Sequence, residues 1–159
     1  MIVMGIDPGY KESAFTVWDG EKIIDKGILP NSDTLDYIET LTVYLPVHLA
    51  IEMIASYGMP VGKEIFETCV WIGRFYERWL DKKLGDAHLI FRLQVKMAFC
   101  HDSRAKDGNV RQYLINRFGN PGIKKKQGIL YGVKADIWQA LAVTVFMYDK
   151  LKTEGGVLK

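Results

Sequence analysis

Three acidic residues occupy positions where a carboxylate is costly to place. Asp7 ends a short apolar run, Glu52 lies inside another, and Asp136 opens a segment whose inner face is otherwise apolar. An isolated ionised carboxylate is unfavourable in such surroundings unless a cation or hydrogen bonds compensate it. If the three side chains converge, they form an oxygen-only site suited to Mg²⁺ or Mn²⁺, the ions that support phosphodiester hydrolysis.

Two of these carboxylates also have a purely structural explanation. Asp7-Pro8-Gly9 is an ordinary turn sequence, and an Asp such as Asp136 in the first turn of a helix interacts favourably with the helix dipole. Glu52 has neither role, because its neighbours from 49 to 54 are apolar. The histidines lack metal-ligand spacing and the two cysteines are far apart, so no nucleophilic or zinc site competes with this hypothesis.

The charge of the chain is unevenly distributed. Residues 92–134 contain ten basic and two acidic side chains, a net charge of +8, whereas the whole chain carries +2 and the remainder therefore −6. A single Lys-Lys-Lys run is usually a solvated surface, but a bias over more than forty residues favours a polyanion-binding face.

Hydrophobic periodicity predicts one α/β domain with a mixed sheet. The chain opens with three strands, joined in part by an Asp19-Gly20 hairpin turn, followed by alternating helices and strands. The expected strands are 2–6, 13–18, 22–29, 48–54 and 88–93. The expected helices start at Asp33 (ending at Pro46), at Lys63 (ending near Lys82), at Asp107 (ending at Gly119) and at Asp136, with a basic loop over 120–132.

Length and composition limit the organisation of the chain. Its 159 residues suit one packed domain, which we expect over residues 1–152, with a loose tail over 153–159. No apolar run is long enough to span a membrane and no secretory leader is evident, so a cytoplasmic location is expected.

Five segments spread over nearly the whole chain resemble the RuvC family of Holliday junction resolvases. Gly5-Ile6-Asp7-Pro8-Gly9 matches the family's opening, and the segment 62–68 is similar to the start of a long helix in its phage-encoded branch. The other matching segments are 50–52, 104–111 and 135–142. The pentapeptide alone is weak, because sugar kinases and actin-like proteins begin similarly, but the order of the carboxylates is more specific.

This resemblance implies a phage-encoded, RNase H-like nuclease acting in a bacterial host cell. It implies a homodimer that cuts two strands of a four-way DNA junction, leaving 5′-phosphate ends. Asp7, Glu52 and Asp136 would be catalytic ligands of Mg²⁺, replaceable by Mn²⁺, with two ions per site. Where cellular members commonly have a metal ligand three residues after Asp136, this chain has the neutral amide Gln139. Either Asp136 serves alone from this helix, or another group replaces the missing ligand.

Residues in the basic stretch and in the loop after Glu52 are the predicted DNA contacts. Tyr57 and Met59 can contact or wedge unpaired bases at a junction centre, or simply pack the loop. The predicted DNA-binding residues are Tyr57, Arg104, Lys106, Arg111, Lys124, Lys125, Lys126 and Lys134. The helix from Lys63 has more apolar surface than one sheet covers, so it either packs on a twofold mate or lies buried within the chain.

Three other functions are compatible with parts of this pattern. A related nuclease acting on flaps, forks or RNA–DNA hybrids would use the same carboxylates. A junction-binding protein whose metal site has decayed at Gln139 would bind branched DNA without cutting it. An ATP-binding phosphotransferase is excluded by size, because that fold clamps its nucleotide between two such domains.

Overall fold

A computed structural model of the chain describes residues 1–44, 47–82 and 86–156. Its elements, in chain order, are β1 (Ile2–Asp7), β2 (Glu12–Trp18), β3 (Ile23–Pro30), α1 (Asn31–Tyr44), β4 (Val47–Met53), α2 (Lys63–Asp81), β5 (Ala87–Phe91), α3 (Arg92–Cys100), α4 (Asp107–Phe118), β6 (Gly122–Ile123), β7 (Lys126–Gln127) and α5 (Ile137–Gly156). Within these ranges, no helix has the length and apolarity needed to cross a bilayer.

A five-stranded mixed sheet in the order β3-β2-β1-β4-β5 forms the centre of the fold. β1 is antiparallel to β2, and β2 to β3, whereas β4 runs parallel to both β1 and β5. The predicted hairpin turn is confirmed, since the Asp19 side chain accepts the backbone N–H groups of Glu21 and Lys22 and Gly20 has a φ of 103°. The predicted five-stranded mixed sheet with three antiparallel N-terminal strands is also confirmed.

The two faces of the sheet have different helical partners. Side chains alternate along a strand, so Met4 and Ile6 face the cluster that includes Phe75 of α2 and Ile38 of α1. Val3 faces the opposite way, into a larger cluster formed largely by α5, with contributions from α3 and α4. Gly5 and Asp7 share the direction of Val3, so the candidate carboxylates belong to the α5 face.

Gly5 allows α5 to approach the centre of the sheet closely. A Cβ atom added at Gly5 would lie 2.0 Å from the Thr144 hydroxyl oxygen on α5. That hydroxyl lies 2.5 Å from the Thr16 hydroxyl of β2 and donates to the Ala140 carbonyl at 2.7 Å. The glycine of the opening motif therefore permits the packing that fixes α5 against β1.

Two predicted boundaries in the first half of the chain need correction. α1 begins at Asn31, so Asp33 lies in its first turn and is not the cap. Pro46, the predicted end of this helix, lies outside the described residues. β5 ends at Phe91, two residues before the predicted Leu93. The strand stops there because Phe91 donates its N–H to the Gln94 side chain at 2.8 Å and the unpredicted helix α3 begins.

In the second half, the predicted helix starts are close to those observed. α4 begins at Asp107 and ends before Gly119, whose φ of 87° suits glycine, as predicted. Asp107 is not a side-chain cap, however, and the flanking Lys106 N–H is bonded by the Asn109 side chain. The basic segment 120–132 contains the short hairpin β6–β7, and α5 continues to Gly156, beyond the expected start of the tail at 153.

Candidate metal centre and DNA-binding surface

Asp7 and Glu52 are brought together by the parallel pairing of β1 and β4. In this pairing Ile6 is the partner of Ile51, so the next residue of each strand, Asp7 and Glu52, comes side by side. Because side chains alternate along a strand, both carboxylates lie on the face of the sheet that α5 covers. The carboxyl ends of the two central strands therefore present two acidic side chains to the same side.

Hydrogen bonds from β2 and α1 hold the turn that follows Asp7. Gly9 donates its N–H to the Ser13 hydroxyl at 3.3 Å, and its carbonyl accepts from the Asn31 side chain at 2.9 Å. Ser13 in turn donates to the Asn31 side-chain oxygen at 2.6 Å. Both side chains are buried, so this network fixes the backbone next to Asp7.

Asp136 enters the same region from the start of α5. Its backbone carbonyl accepts the N–H groups of Gln139 and Ala140, which places it at the helix N-terminus. The preceding Ala135 has a φ of 46°, a left-handed conformation that costs a non-glycine residue about 1 kcal/mol or more. Backbone strain therefore accompanies the turn that brings Asp136 to the site, although its side chain is exposed.

Asp7 is a buried carboxyl group with other acidic side chains near it. Burial, and after it the Glu52 carboxylate, raises the pKa of Asp7 to about 8, with smaller contributions from Asp136 and Asp107 in the same direction. The Arg92 guanidinium opposes this shift without cancelling it. In the absence of a metal ion, Asp7 is therefore largely protonated at neutral pH, and a divalent cation would relieve the repulsion.

We expect Asp7→Asn to stabilise the metal-free protein at neutral pH. Asp7 is protonated in the folded state up to about pH 8, whereas in the unfolded state it ionises above its ordinary pKa of 3.8. Its contribution to stability therefore falls as pH rises between these values. Chemical denaturation in chelator should give the variant a larger free energy of unfolding than wild type. This difference should grow from pH 5 to pH 8 and reach roughly 2 kcal/mol or more.

Asp19→Asn is the matched control, because the pKa of Asp19 is lowered in the folded protein whereas the pKa of Asp7 is raised. The backbone N–H groups of Lys22 and Glu21 lower the pKa of Asp19, so its ionised form stabilises the fold above the unfolded pKa and this contribution is lost in acid. This variant should lose stability at pH 7. A gain for Asp7→Asn that does not change with pH would contradict the assigned environment of Asp7.

Arg92 and Asp107 are two charged residues of the site that the sequence did not reveal in this role. The Arg92 Nε donates to Glu52 Oε1 at 2.7 Å and its Nη2 to Oε2 at 3.2 Å. Its Nη1 donates to both Asp107 oxygens, at 3.0 and 3.1 Å. In the sequence, Arg92 is one member of the basic stretch, whereas Asp107 is a predicted helix cap within the family-like segment 104–111. Arg92 is 40 residues from Glu52 in the chain and 15 residues from Asp107, so only the folded structure brings the three side chains together.

The donor set suits a hard divalent cation, although the side chains need to rearrange to hold one. Among the described residues, no three His, Cys, Asp or Glu side chains are placed so that they could hold a metal ion as they stand. Both oxygens of Glu52 are bonded to Arg92, and Asp136 is exposed. Asp7, Glu52 and Asp136 nevertheless supply only carboxylate oxygens, the ligands that Mg²⁺ and Mn²⁺ prefer.

Gln139 lies near this region, on the first turn of α5. It is partly buried and lines a small cleft of about 250 Å³ together with Asp107, Arg111 and Trp138. Arg111 is stacked on Trp138, with 4.6 Å between its guanidinium carbon and the ring centroid. The amide is thus close to α4 as well as to Asp136, and its position suits a supporting role beside the carboxylates.

All predicted DNA-binding side chains are exposed. Tyr57, with 71% of its surface exposed, lies in the loop after β4 and lines a cleft of about 590 Å³ that also contains Glu52 and Arg92. Arg104 and Lys106 directly precede α4, and Lys134 lies two residues before Asp136. The lysines 124–126 belong to the β6–β7 hairpin between these helices. Arg104, Lys106 and Lys134 therefore flank the N-termini of α4 and α5, whereas the hairpin lysines lie in the connection between the two helices.

Comparison with solved structures identifies the fold. RuvC from Thermus thermophilus superposes with a TM-score of 0.66 at 18% sequence identity, covering 96% of this chain and 98% of that one. T. thermophilus RuvC in complex with a Holliday junction substrate gives the same TM-score at 16% identity, covering 96% and 97%. No protein-family model and no curated protein matches the chain. The predicted RNase H-like α/β fold is confirmed.

Proposed function

We propose that this protein is a structure-selective endonuclease that resolves four-way DNA junctions by divalent-metal-dependent phosphodiester hydrolysis. The observation that supports this most directly is the pairing of Asp7 and Glu52 at the ends of two central parallel strands, with Asp136 entering from α5. The RNase H-like fold, shared with a protein solved on a Holliday junction, and the flanking basic residues supply the substrate class.

Each acidic residue would have a distinct part in catalysis. Asp7 and Glu52, from adjacent strands, and Asp136, from the helix, would hold one or two Mg²⁺ or Mn²⁺ ions, with Gln139 as a supporting group. Such ions, when bound, acidify an attacking water and neutralise charge on the phosphate. The rigid positions of β1 and β4 would orient the scissile phosphate against these carboxylates. The products would carry 5′-phosphate ends.

Binding of branched DNA is assigned to the exposed basic residues and Tyr57. Lysine and arginine side chains neutralise phosphates without regard to base sequence. The exposed Tyr57 ring is available to stack on an unpaired base where the junction strands separate, close to Glu52. The residues assigned to phosphate binding are Arg104, Lys106, Arg111, Lys124, Lys125, Lys126 and Lys134.

We further propose that the active form is a homodimer formed through α2. Phe75 and Trp79 of this helix are fully buried against the sheet, whereas Phe66 and Val70, one turn apart, are 63% and 62% exposed. Met59 and Val61, just before the helix, are also exposed, Met59 to 75% and Val61 to 45%. An apolar patch of this kind suits a twofold mate, and paired nicking requires two active sites.

If the protein is a dimer, light scattering at micromolar concentration should give twice the chain mass of 18.1 kDa. Phe66→Glu combined with Val70→Glu should give the monomer mass and abolish paired nicking, because each glutamate would have to be buried in the interface. Ile24→Glu, at an exposed apolar residue of β3, is the matched control and should remain dimeric. A wild-type monomer that persists on junction DNA would contradict the resolvase assignment.

A cleavage panel distinguishes this function from its alternatives. Four-way junction, Y-fork, flap, linear duplex and RNA–DNA hybrid should be compared with Mg²⁺, Mn²⁺ or chelator. We expect the junction to be cut fastest and only with metal. Preference for another substrate would indicate a different RNase H-like nuclease. Tight junction binding without cleavage would indicate a junction-binding protein, the alternative favoured by the neutral Gln139.

The biological setting is part of the same proposal. Segment 62–68 resembles the start of a long helix in phage members, which supports a phage-encoded enzyme acting in the cytoplasm of a bacterial host. Residues 1–152 are proposed as its single nuclease domain.

A further inference from the structure

Arg92 connects two acidic residues that come from different parts of the fold. All three of its guanidinium nitrogens are engaged, Nε and Nη2 by Glu52 and Nη1 by Asp107, at 2.7 to 3.2 Å. Arg92 is the first residue of α3, directly after β5, and β5 is the hydrogen-bonded neighbour of β4, which carries Glu52. A planar guanidinium in this fork geometry makes a strong and directional ion pair.

This ion pair occupies the carboxylate through which Glu52 would bind a metal ion. Arg92 uses both carboxylate oxygens of Glu52, which are the atoms that a divalent cation would need. Its positive charge would also repel the incoming ion at a distance of a few ångströms. The cleft of about 590 Å³ beside Glu52 is lined by Arg92 itself, together with Lys96 and Ser103, so the guanidinium has space to move without leaving the site.

We propose that Arg92 is a resident counter-ion of the carboxylate site, an inference that rests on the proposed nuclease function. With a divalent ion held by Glu52, Asp107 would retain Arg92 at the edge of the site, where the guanidinium would bind the scissile phosphate. Asp107 acts as a positioning residue, because both of its oxygens are bonded to Arg92 and it lies at the N-terminus of α4. Arg92 thus balances the carboxylates before the metal binds and the substrate charge afterwards.

The first test measures Mn²⁺ binding without DNA, using the electron paramagnetic resonance signal of the free ion as the readout. Arg92→Met should bind Mn²⁺ about tenfold more tightly than wild type, because a competing cation is removed. Single-turnover junction cleavage by the same variant at saturating Mn²⁺ should be about 100-fold slower, because the scissile phosphate then lacks its guanidinium partner. Tighter metal binding combined with slower cleavage is the expected signature.

A double-mutant comparison tests how Asp107 acts. Asp107→Asn alone should weaken Mn²⁺ binding severalfold, since Arg92 would then have only Glu52 as a partner. In the Arg92→Met background the same change should alter the affinity by less than about twofold. A further decrease in that background would identify Asp107 as a direct metal ligand and overturn its assignment as a positioning residue.

The remaining outcomes separate this inference from the proposed function. Wild type that binds no Mn²⁺, or Glu52→Gln that binds it equally well, would overturn the metal site itself. A metal-binding wild type with unchanged or weaker affinity in Arg92→Met would overturn only the role of Arg92. If Arg92→Met does not fold, judged by circular dichroism, Arg92→Lys decides. It keeps the charge but loses the fork, so unchanged Mn²⁺ affinity and cleavage would contradict the proposal.

Discussion

Asp7→Asn, Glu52→Gln and Asp136→Asn should each lower the single-turnover rate of junction cleavage by at least about 10³-fold. Each substitution removes a charged oxygen ligand from a site whose chemistry depends on holding divalent ions. Junction affinity in chelator should be unchanged for Asp7→Asn, because Asp7 is already largely protonated without metal. For Glu52→Gln and Asp136→Asn it should be unchanged or higher, because a carboxylate that repels the DNA phosphates is removed. Gel-shift assays in chelator, followed by rapid mixing with Mg²⁺ or Mn²⁺, measure both quantities on the same samples.

Gln139→Ala is the matched control for this series. Gln139 lies three residues after Asp136, on the same side of α5, but its neutral amide is a weaker ligand than a carboxylate. We expect a decrease in rate of roughly 10–100-fold, typical of a supporting group. If Gln139→Ala were as inactive as Asp136→Asn, the amide would be a direct ligand and the set of three carboxylates would be incomplete. Near-normal cleavage by any of the three carboxylate variants would remove that residue from the set.

Replacing Lys124, Lys125 and Lys126 together by Ala should weaken junction binding about 100-fold at 0.1 M salt. These lysines are exposed around the turn of the β6–β7 hairpin, between α4 and α5, whose N-termini lie at the site. The plot of log affinity against log salt should flatten by up to about 0.9 for each phosphate that is no longer neutralised. Fluorescence anisotropy at several salt concentrations, with junctions of different sequence, measures both effects.

The control for the lysine variant removes the same charge elsewhere. Lys22, Lys150 and Lys152 are exposed and lie outside the basic stretch. Replacing these three by Ala should leave the salt slope unchanged. Equal slopes for wild type and the hairpin variant would show that the hairpin lysines are merely solvated.

The sheet and the positions of the carboxylates could be predicted because they follow from local patterns. The apolar run 2–6, the Asp19-Gly20 turn and the apolar strand around Glu52 each specify an element within a few residues. The order of strands and helices then limits the fold. The adjacency of Asp7 and Glu52 in the structure follows from parallel pairing of these two strands.

The ionic surroundings of Glu52 could not be predicted in the same way. Its apolar sequence neighbours gave no sign of Arg92, which reaches it across 40 residues because β5 pairs with β4 and then turns directly into α3. Leu93 continues the apolar pattern of β5 and no typical turn or capping residue precedes Arg92, so the first residues of α3 resembled a continuation of the strand. Asp107, at a helix start, resembled a cap, whereas its side chain is engaged by Arg92.

The most direct test of the proposed function is a strand-resolved resolution assay on a four-way junction whose four strands are labelled separately. With Mg²⁺ or Mn²⁺, wild-type protein should nick two opposite strands at symmetric positions, and DNA ligase should reseal the resulting duplexes, which requires 5′-phosphate ends. Glu52→Gln and chelator should each prevent this. Absence of nicks, nicks in a single strand only, or equal cleavage of a linear duplex of the same sequence would contradict the assignment of a junction-resolving nuclease.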